Sequence, residues 1–72
     1  MNGFESVRMQ AQRIGLVAEE HGLNVCFKLE SEADIGYNMP LSDLGYMDTE
    51  KKDQVLRNVR RQLESAFDFR VL

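Results

Sequence analysis

Apolar residues recur at three- and four-residue steps near the start of the chain, which places them on one face of a helix. These positions are Phe4, Val7, Ala11, Ile14 and Ala18. The pattern predicts a first helix over residues 4–21, with Gly15 inside it and Gly22 as the left-handed residue that ends it.

A second helical pattern follows a capping signal at Asp48 and Thr49. The side-chain oxygen of either residue can accept a free backbone N–H of the first turn. The apolar face that follows consists of Val55, Leu56, Val59, Leu63 and Ala66. This spacing predicts a helix over residues 49–66.

Three other stretches alternate between apolar and polar residues, which is the period of a half-buried strand. They predict strands at residues 23–30, 35–41 and 67–72. The first two are expected to form an antiparallel hairpin. Pro40 lacks the N–H that a central strand needs, so the second strand is expected at an edge of the sheet.

The resulting order α-β-β-α-β predicts an α+β fold, a two-layer sandwich in which two helices cover a small mixed sheet of three strands. We expect residues 1–72 to form a single domain, and a domain of this size has one small core. A hydrophobic content of 43% with 29% charged residues is typical of a folded chain. One cysteine excludes an internal disulfide. The chain shows neither a signal peptide nor a membrane-spanning run, so we expect a cytoplasmic domain that does not contact a membrane.

Charge is distributed unevenly. The net charge is −3, and the stretch from Leu29 to Glu50 holds six acidic residues and no Lys or Arg. The basic residues near the C-terminus alternate with acids on the outer face of the second predicted helix, with pairs Asp53–Arg57 and Arg60–Glu64 at i,i+4 spacing. We therefore expect a solvent-exposed ion-pair face and no direct binding of nucleic acid.

Catalytic and metal-binding patterns find little support. His21 is expected to cap the end of the first helix, and Cys26 to be a small, half-buried strand residue. With Glu30 as the first ligand of a calcium loop, Ile35 would occupy the glycine position and Leu41 the closing position, so the pattern fails. The sequence predicts a non-enzymatic protein without metal or cofactor.

Aromatic and methionine side chains lie among the acids of the middle stretch. Such side chains are favoured anchors in protein interfaces, and acids beside them suit a basic partner surface. The predicted partner-binding residues are Glu30, Glu32, Asp34, Tyr37, Met39, Asp43 and Tyr46. Met9 and Leu16 are expected on the far side of the first helix, either as scattered surface residues or as a contact face for a partner or a second copy.

The C-terminal segment resembles the DinI-like damage-inducible proteins. The similar positions are Lys52, Val55, Val59, Leu63-Glu64-Ser65-Ala66 and Asp68-Phe69, preceded by Leu41-Ser42 and Leu44-Gly45. The resemblance covers roughly residues 7–69 and implies an intracellular regulator that binds recombinase filaments through an acidic helix. This chain departs from the family in lacking its first strand, and in having Arg57, Arg60 and Arg61 on the helix.

The residues themselves predict a small non-catalytic regulator or inhibitor that acts by binding another protein, of the kind encoded by phages and mobile elements. Two alternatives stay open. One is a DinI-like modulator of recombinase filaments, and the other is a self-assembling structural or accessory subunit that forms a homodimer.

Overall fold

The computed structural model describes residues 3–71 and, within them, all side chains except those of residues 32–33 and 67–71. Its elements in chain order are α1 (Gly3–Gln12), β1 (Leu16–His21), β2 (Asn24–Leu29), β3 (Glu32–Pro40), α2 (Leu41–Gly45) and α3 (Thr49–Val71). The strands form one antiparallel sheet in the order β1-β2-β3. The α+β class is therefore confirmed, whereas the predicted order and the mixed sheet are wrong.

The first predicted helix is only half helical. It ends at Gln12, and the N–H groups of Ile14 and Gly15 close a turn onto the carbonyls of Ala11 and Gln12 at 3.1 and 3.2 Å. Gly15 has a φ of +83°, a conformation that ends helices and favours glycine. The chain then continues as β1, so residues 16–21 form a strand where a helix was predicted.

Gly22 also has a left-handed backbone, with a φ of +62°, but its role differs from the predicted one. It is the first residue of a two-residue turn that joins β1 to β2, where His21 pairs with Asn24. Among the described residues only glycines have positive φ, so Leu23 does not, as in a type II′ hairpin turn.

The C-terminal prediction is wrong as well. Residues 67–71 continue α3, and the described chain has no strand after β3. Leu72, the last residue of the predicted strand, lies outside the described residues. The predicted start of this helix is confirmed, because the N–H of Lys51 donates to Oδ1 of Asp48 at 2.8 Å.

The predicted hairpin is confirmed as β2 and β3. β3 is an edge strand that ends at Pro40, in agreement with the missing proline N–H. The residues after it form the short helix α2. A register irregularity at Lys28 and Leu29 lies near the hairpin tip.

One core joins the helices to one face of the sheet. Its buried members are Val7, Ala11, Ile14, Leu16, Ala18, Val25, Phe27, Leu44, Leu56, Val59 and Leu63. Strand alternation places Ala18, Phe27 and Tyr37 side by side across the three strands on this face. Polar contacts connect α3 to the start of the chain: Arg60 Nη1 donates to the carbonyl of Ile14 at 2.9 Å, and Gln10 Nε2 to that of Thr49 at 2.8 Å.

No helix within residues 3–71 is both long enough and apolar enough to cross a membrane.

Candidate functional site

The structure divides the predicted partner-binding residues between two ends of the sheet. Glu30 and Asp34 are exposed at the tip of the β2–β3 hairpin, whereas Asp43 and Tyr46 follow β3 at the opposite end. An extended strand rises about 3.3 Å per residue, so the two groups lie on the order of 15–20 Å apart. The side chain of Glu32 is outside the described set.

Tyr37 and Met39 lie between these groups but do not present free side chains. Both are half-buried and pack against the core. Their alternation in β3 points them toward the helices, on the same face as Phe27 and Val25. Because these side chains contribute to folding, their removal would not be a clean test of binding.

Tyr46 is the most exposed of the large hydrophobic side chains in the predicted set. It follows α2 in a right-handed conformation and is 91% exposed. Asp43, in the first turn of α2, is also exposed. The phenol ring and this carboxylate therefore both face solvent at the end of the domain formed by α2.

Leu23 belongs to the same end of the molecule and was not predicted. It is 89% exposed in the β1–β2 turn, and its carbonyl accepts a hydrogen bond from the N–H of Leu41, the first residue of α2, at 3.0 Å. The sequence signal was an apolar residue directly after Gly22, which becomes informative once the glycine is assigned to a two-residue turn. We call Leu23, Asp43 and Tyr46 together the α2 surface.

The two predicted self-association residues have different environments. Leu16 is only 1% exposed because it is the first core residue of β1, so it is not available on the surface of this domain. Met9 is 52% exposed on α1 and lines a shallow groove of about 240 Å³ together with Thr49. Only Met9 retains the predicted accessibility.

A second groove, of about 490 Å³, runs between α1 and the first turns of α3. Its walls carry both charges: Arg13 faces it from the α1 side, and Glu50, Asp53 and Arg57 from α3. Asp53 and Arg57 form an ion pair at 2.7 Å, which confirms one of the two predicted pairs. The second pair, between Arg60 and Glu64, is confirmed at 3.5 Å. The outer face of α3 is therefore an ion-pair face, as the sequence indicates.

The sheet face opposite the core carries a charged cluster that the sequence pattern does not predict. Glu19 Oε1 contacts Lys28 Nζ at 3.2 Å and His21 Nε2 at 3.3 Å. The hydrogen bond from Lys28, followed by that from His21, lowers the pKa of the Glu19 carboxyl. His21 is thus a strand residue beside a carboxylate and does not cap a helix.

Cys26 lies on this same face, directly opposite Glu19, and is only 7% exposed. It is therefore more buried than the sequence predicted. Its sulfur covers Gly36 of β3: a Cβ added at that glycine would lie 2.7 Å from Sγ. Among the side chains that the structure describes, no group of three or more His, Cys, Asp or Glu residues is placed to hold a metal ion.

No family model matches this chain, and neither a curated protein nor a solved structure shows significant similarity to it. The resemblance to the DinI-like proteins therefore stays a prediction.

Proposed function

We propose that this domain is a non-catalytic regulator or inhibitor that acts by binding another protein, and that the α2 surface is its contact site. The observation that carries the proposal is the exposure of Tyr46, 91%, beside the exposed carboxylate of Asp43. Tyrosine combines a large apolar ring with a hydroxyl, and it is enriched at binding hot spots because it buries much area at little entropic cost.

The charge around this surface favours a basic partner. Neither Lys nor Arg occurs between Leu29 and Glu50, so no basic residue of this stretch neutralises Asp43. The attraction between the acidic stretch and a basic partner would be screened by salt, since exposed charges interact weakly beyond about 8 Å at physiological ionic strength. A complex formed in this way should dissociate as salt is raised.

We infer that helices and sheet form two layers, because the helices share one core with a single face of the sheet. The other face of the sheet, which we call the open face, is not covered by the helices.

The arrangement of side chains on the open face supports a non-catalytic role. On the open face His21 pairs with Glu19, but the Cys26 thiol is buried against Gly36 of β3, and no hydrogen bond joins it to the imidazole among the described contacts. A base within hydrogen-bonding reach is one common way to activate a thiol nucleophile, and these two side chains lack that contact.

The test compares three immobilised proteins in a bacterial lysate: the unchanged domain, Tyr46→Ala and Met9→Ala. Met9 is the matched control because it is an exposed apolar residue on another element. We expect the unchanged domain and Met9→Ala to retain the same protein, released by salt, and Tyr46→Ala to lose it while keeping the circular dichroism of the folded domain. Equal retention by folded Tyr46→Ala would contradict the proposed contact site. A recombinase among the released proteins would support the DinI-like alternative.

Self-association through Met9 is the second candidate function. The favouring observation is that this side chain is 52% exposed and lines a groove beside the start of α3. Sedimentation over a range of concentrations tests it: a dimer that Met9→Ala dissociates would support self-assembly, and a concentration-independent monomer would exclude it.

A further inference from the structure

Two hydrogen bonds beside the sheet define which backbone groups of β3 face inward. The N–H of Leu41 donates to the carbonyl of Leu23 at 3.0 Å, and these residues continue the β2–β3 register in which Asn24 pairs with Pro40. Hydrogen-bonded and non-bonded pairs alternate along an antiparallel ladder. The next bonded pairs are therefore Val25 with Met39 and Phe27 with Tyr37.

The pairing of β1 with β2 independently shows which residues of β2 are left to bond to β3. The N–H of Glu30 donates to the carbonyl of Gly15 at 3.3 Å, which continues the β1–β2 register. Along β2, the residues bonded to β1 are then Lys28, Cys26 and Asn24. The alternate residues of β2, Val25 and Phe27, then bond to β3, in agreement with the pairs given by the Leu41–Leu23 hydrogen bond.

It follows that Gly36 and Asn38 direct their N–H and C=O groups away from β2, toward the free edge of β3. Pro40 occupies the next outward position, which explains why a residue without an N–H is accepted there. Among residues 3–71, no backbone hydrogen bond outside the helices and sheet ladders reaches Gly36 or Asn38. Both residues are exposed.

This edge lacks the usual protection in its middle. Edge strands are commonly blunted by charged side chains, prolines, bulges or short length. Here the register irregularity protects one end and Pro40 the other, while the segment between Ile35 and Pro40 carries no charge. Unpaired backbone groups in such a segment are a template for an added strand.

We propose that the free edge of β3, at Gly36 and Asn38, pairs with an extended segment of the partner protein that has basic residues at both ends of an uncharged middle. This inference rests on the proposed function and specifies how the partner is held. The charge requirement follows from the exposed acids at either end of the edge, Glu30 at the hairpin tip and Asp43 in α2.

A second copy of this chain fits the edge less well. In a two-fold antiparallel pairing centred on Tyr37, Asp34 of one copy would oppose Pro40 of the other, and the hairpin tip would approach Asp43 of the other copy. Like charges would then meet at both ends of the added strand, and such pairs are destabilising. The same acids attract a partner segment that ends in lysine or arginine.

The test uses Asn38→Pro, with Asn38→Ala as its control. Proline at this position removes an outward N–H and no hydrogen bond of the ladder to β2, whereas alanine retains that N–H. Gly36 is unsuitable for substitution because a Cβ there would lie 2.7 Å from Cys26 Sγ. The probe is a synthetic peptide with Lys-Lys at each end of Val-Thr-Val-Thr-Val, and a Glu-ended peptide is the charge control.

In the free domain, hydrogen exchange followed by NMR should be fast at the Gly36 and Asn38 amides and slow at Tyr37 and Met39. The Lys-ended peptide should slow exchange at the first two. Asn38→Pro should weaken peptide binding at least about fivefold, as expected for the loss of one hydrogen bond of about 1 kcal/mol, whereas Asn38→Ala stays within about twofold.

Several results would overturn the inference: no binding of the Lys-ended peptide at about 1 mM, equal binding of the Glu-ended peptide, or full binding by folded Asn38→Pro. Concentration-dependent protection of Gly36 and Asn38 without peptide would assign the edge to a second copy instead. If a lysate protein is retained through Tyr46 and also by Asn38→Pro, strand pairing is excluded while the proposed function stands.

Discussion

Gly36→Ala tests the packing that the structure assigns to the open sheet face. The thiol of Cys26 occupies the space that a side chain at Gly36 would take, and the added Cβ would lie 2.7 Å from Sγ. Ordinary van der Waals contact at such a position falls between 3.4 and 4 Å, so the two atoms must separate. This close approach also explains why Cys26 is buried on a face that the helices do not cover.

Two opposing effects determine the expected change in the free energy of unfolding of Gly36→Ala. Replacing glycine by alanine in a strand reduces the entropy lost on folding and favours the native state by roughly 0.5–1 kcal/mol. Overpacking a filled site typically costs about 1–3 kcal/mol. Because the thiol can rotate about one bond to relieve part of the clash, we expect a net loss of about 1 kcal/mol in the free energy of unfolding.

A double-mutant cycle measured by urea unfolding isolates this contact. It compares the unchanged domain with Gly36→Ala, Cys26→Ala and the double variant. Without the sulfur the added methyl meets no clash, so the double variant should be more stable than the sum of the single effects by about 1–2 kcal/mol. Thiol labelling gives a second measure: in Gly36→Ala the displaced sulfur should react faster. Additive stabilities together with unchanged labelling would refute the assigned contact.

Three further predictions concern the core, the helix cap and pH. Leu56 is fully buried, so Leu56→Ala should lower the free energy of unfolding by about 2–5 kcal/mol, whereas Met9→Ala should change it by less than about 0.5 kcal/mol in the same urea titration. Asp48→Ala should cost about 1 kcal/mol because it removes the acceptor for the Lys51 N–H, and Asp48→Asn, which keeps an acceptor, should restore most of it in thermal melts. The lowered pKa of Glu19 means that its ionised form stabilises the fold above the ordinary value of 4.5, and this stabilisation disappears as pH falls through the folded-state pKa. An NMR carboxyl titration should place the Glu19 pKa below 4.5, and a Glu19 pKa that Lys28→Met leaves unchanged would contradict the Lys28 contact.

The elements that the sequence predicts well show a sustained hydrophobic period, and turn or capping residues mark where that period begins or ends. In β2 and β3 the alternation of Val25 with Phe27 and of Tyr37 with Met39 is sustained, and the polar residues between the strands locate the turn. In α3 the apolar spacing follows a capping residue, Asp48, whose hydrogen bond is present. Period and boundary are independent signals, so their agreement is informative.

The first helix is predicted too long because a helical period and a strand period both fit its second half. Ile14 and Ala18 continue the helical spacing from Ala11, but Leu16 and Ala18 also alternate as strand residues. Core burial fits both patterns, since all of these side chains are buried. The deciding residue is Gly15, whose positive φ ends the helical path three residues after Gln12.

The C-terminal error has a different cause. The alternation of Phe67, Phe69 and Val71 is short, and no glycine or proline separates it from the helix before it. A helix that is already formed adds one hydrogen bond for each further residue, whereas a strand needs a neighbour with a free edge. In the described chain α3 continues through Val71.

The candidate site depends on residue type and also on which residues of β3 direct their backbone groups away from β2. This alternation of hydrogen-bonded and non-bonded pairs cannot be derived from composition. Tyr37 and Met39 are the residues of β3 that attract attention in the sequence, yet their side chains belong to the core and their amides to β2. What β3 leaves outward is the backbone at Gly36 and Asn38, whereas Tyr46 and Leu23 offer exposed side chains. Binding at the edge should therefore tolerate Asn38→Ala and fail with Asn38→Pro, while binding at the α2 surface should fail with Tyr46→Ala. A partner that contacts both would bind more weakly to each of the two variants, Asn38→Pro and Tyr46→Ala. Comparing the two variants therefore shows whether the partner contacts the edge, the α2 surface or both.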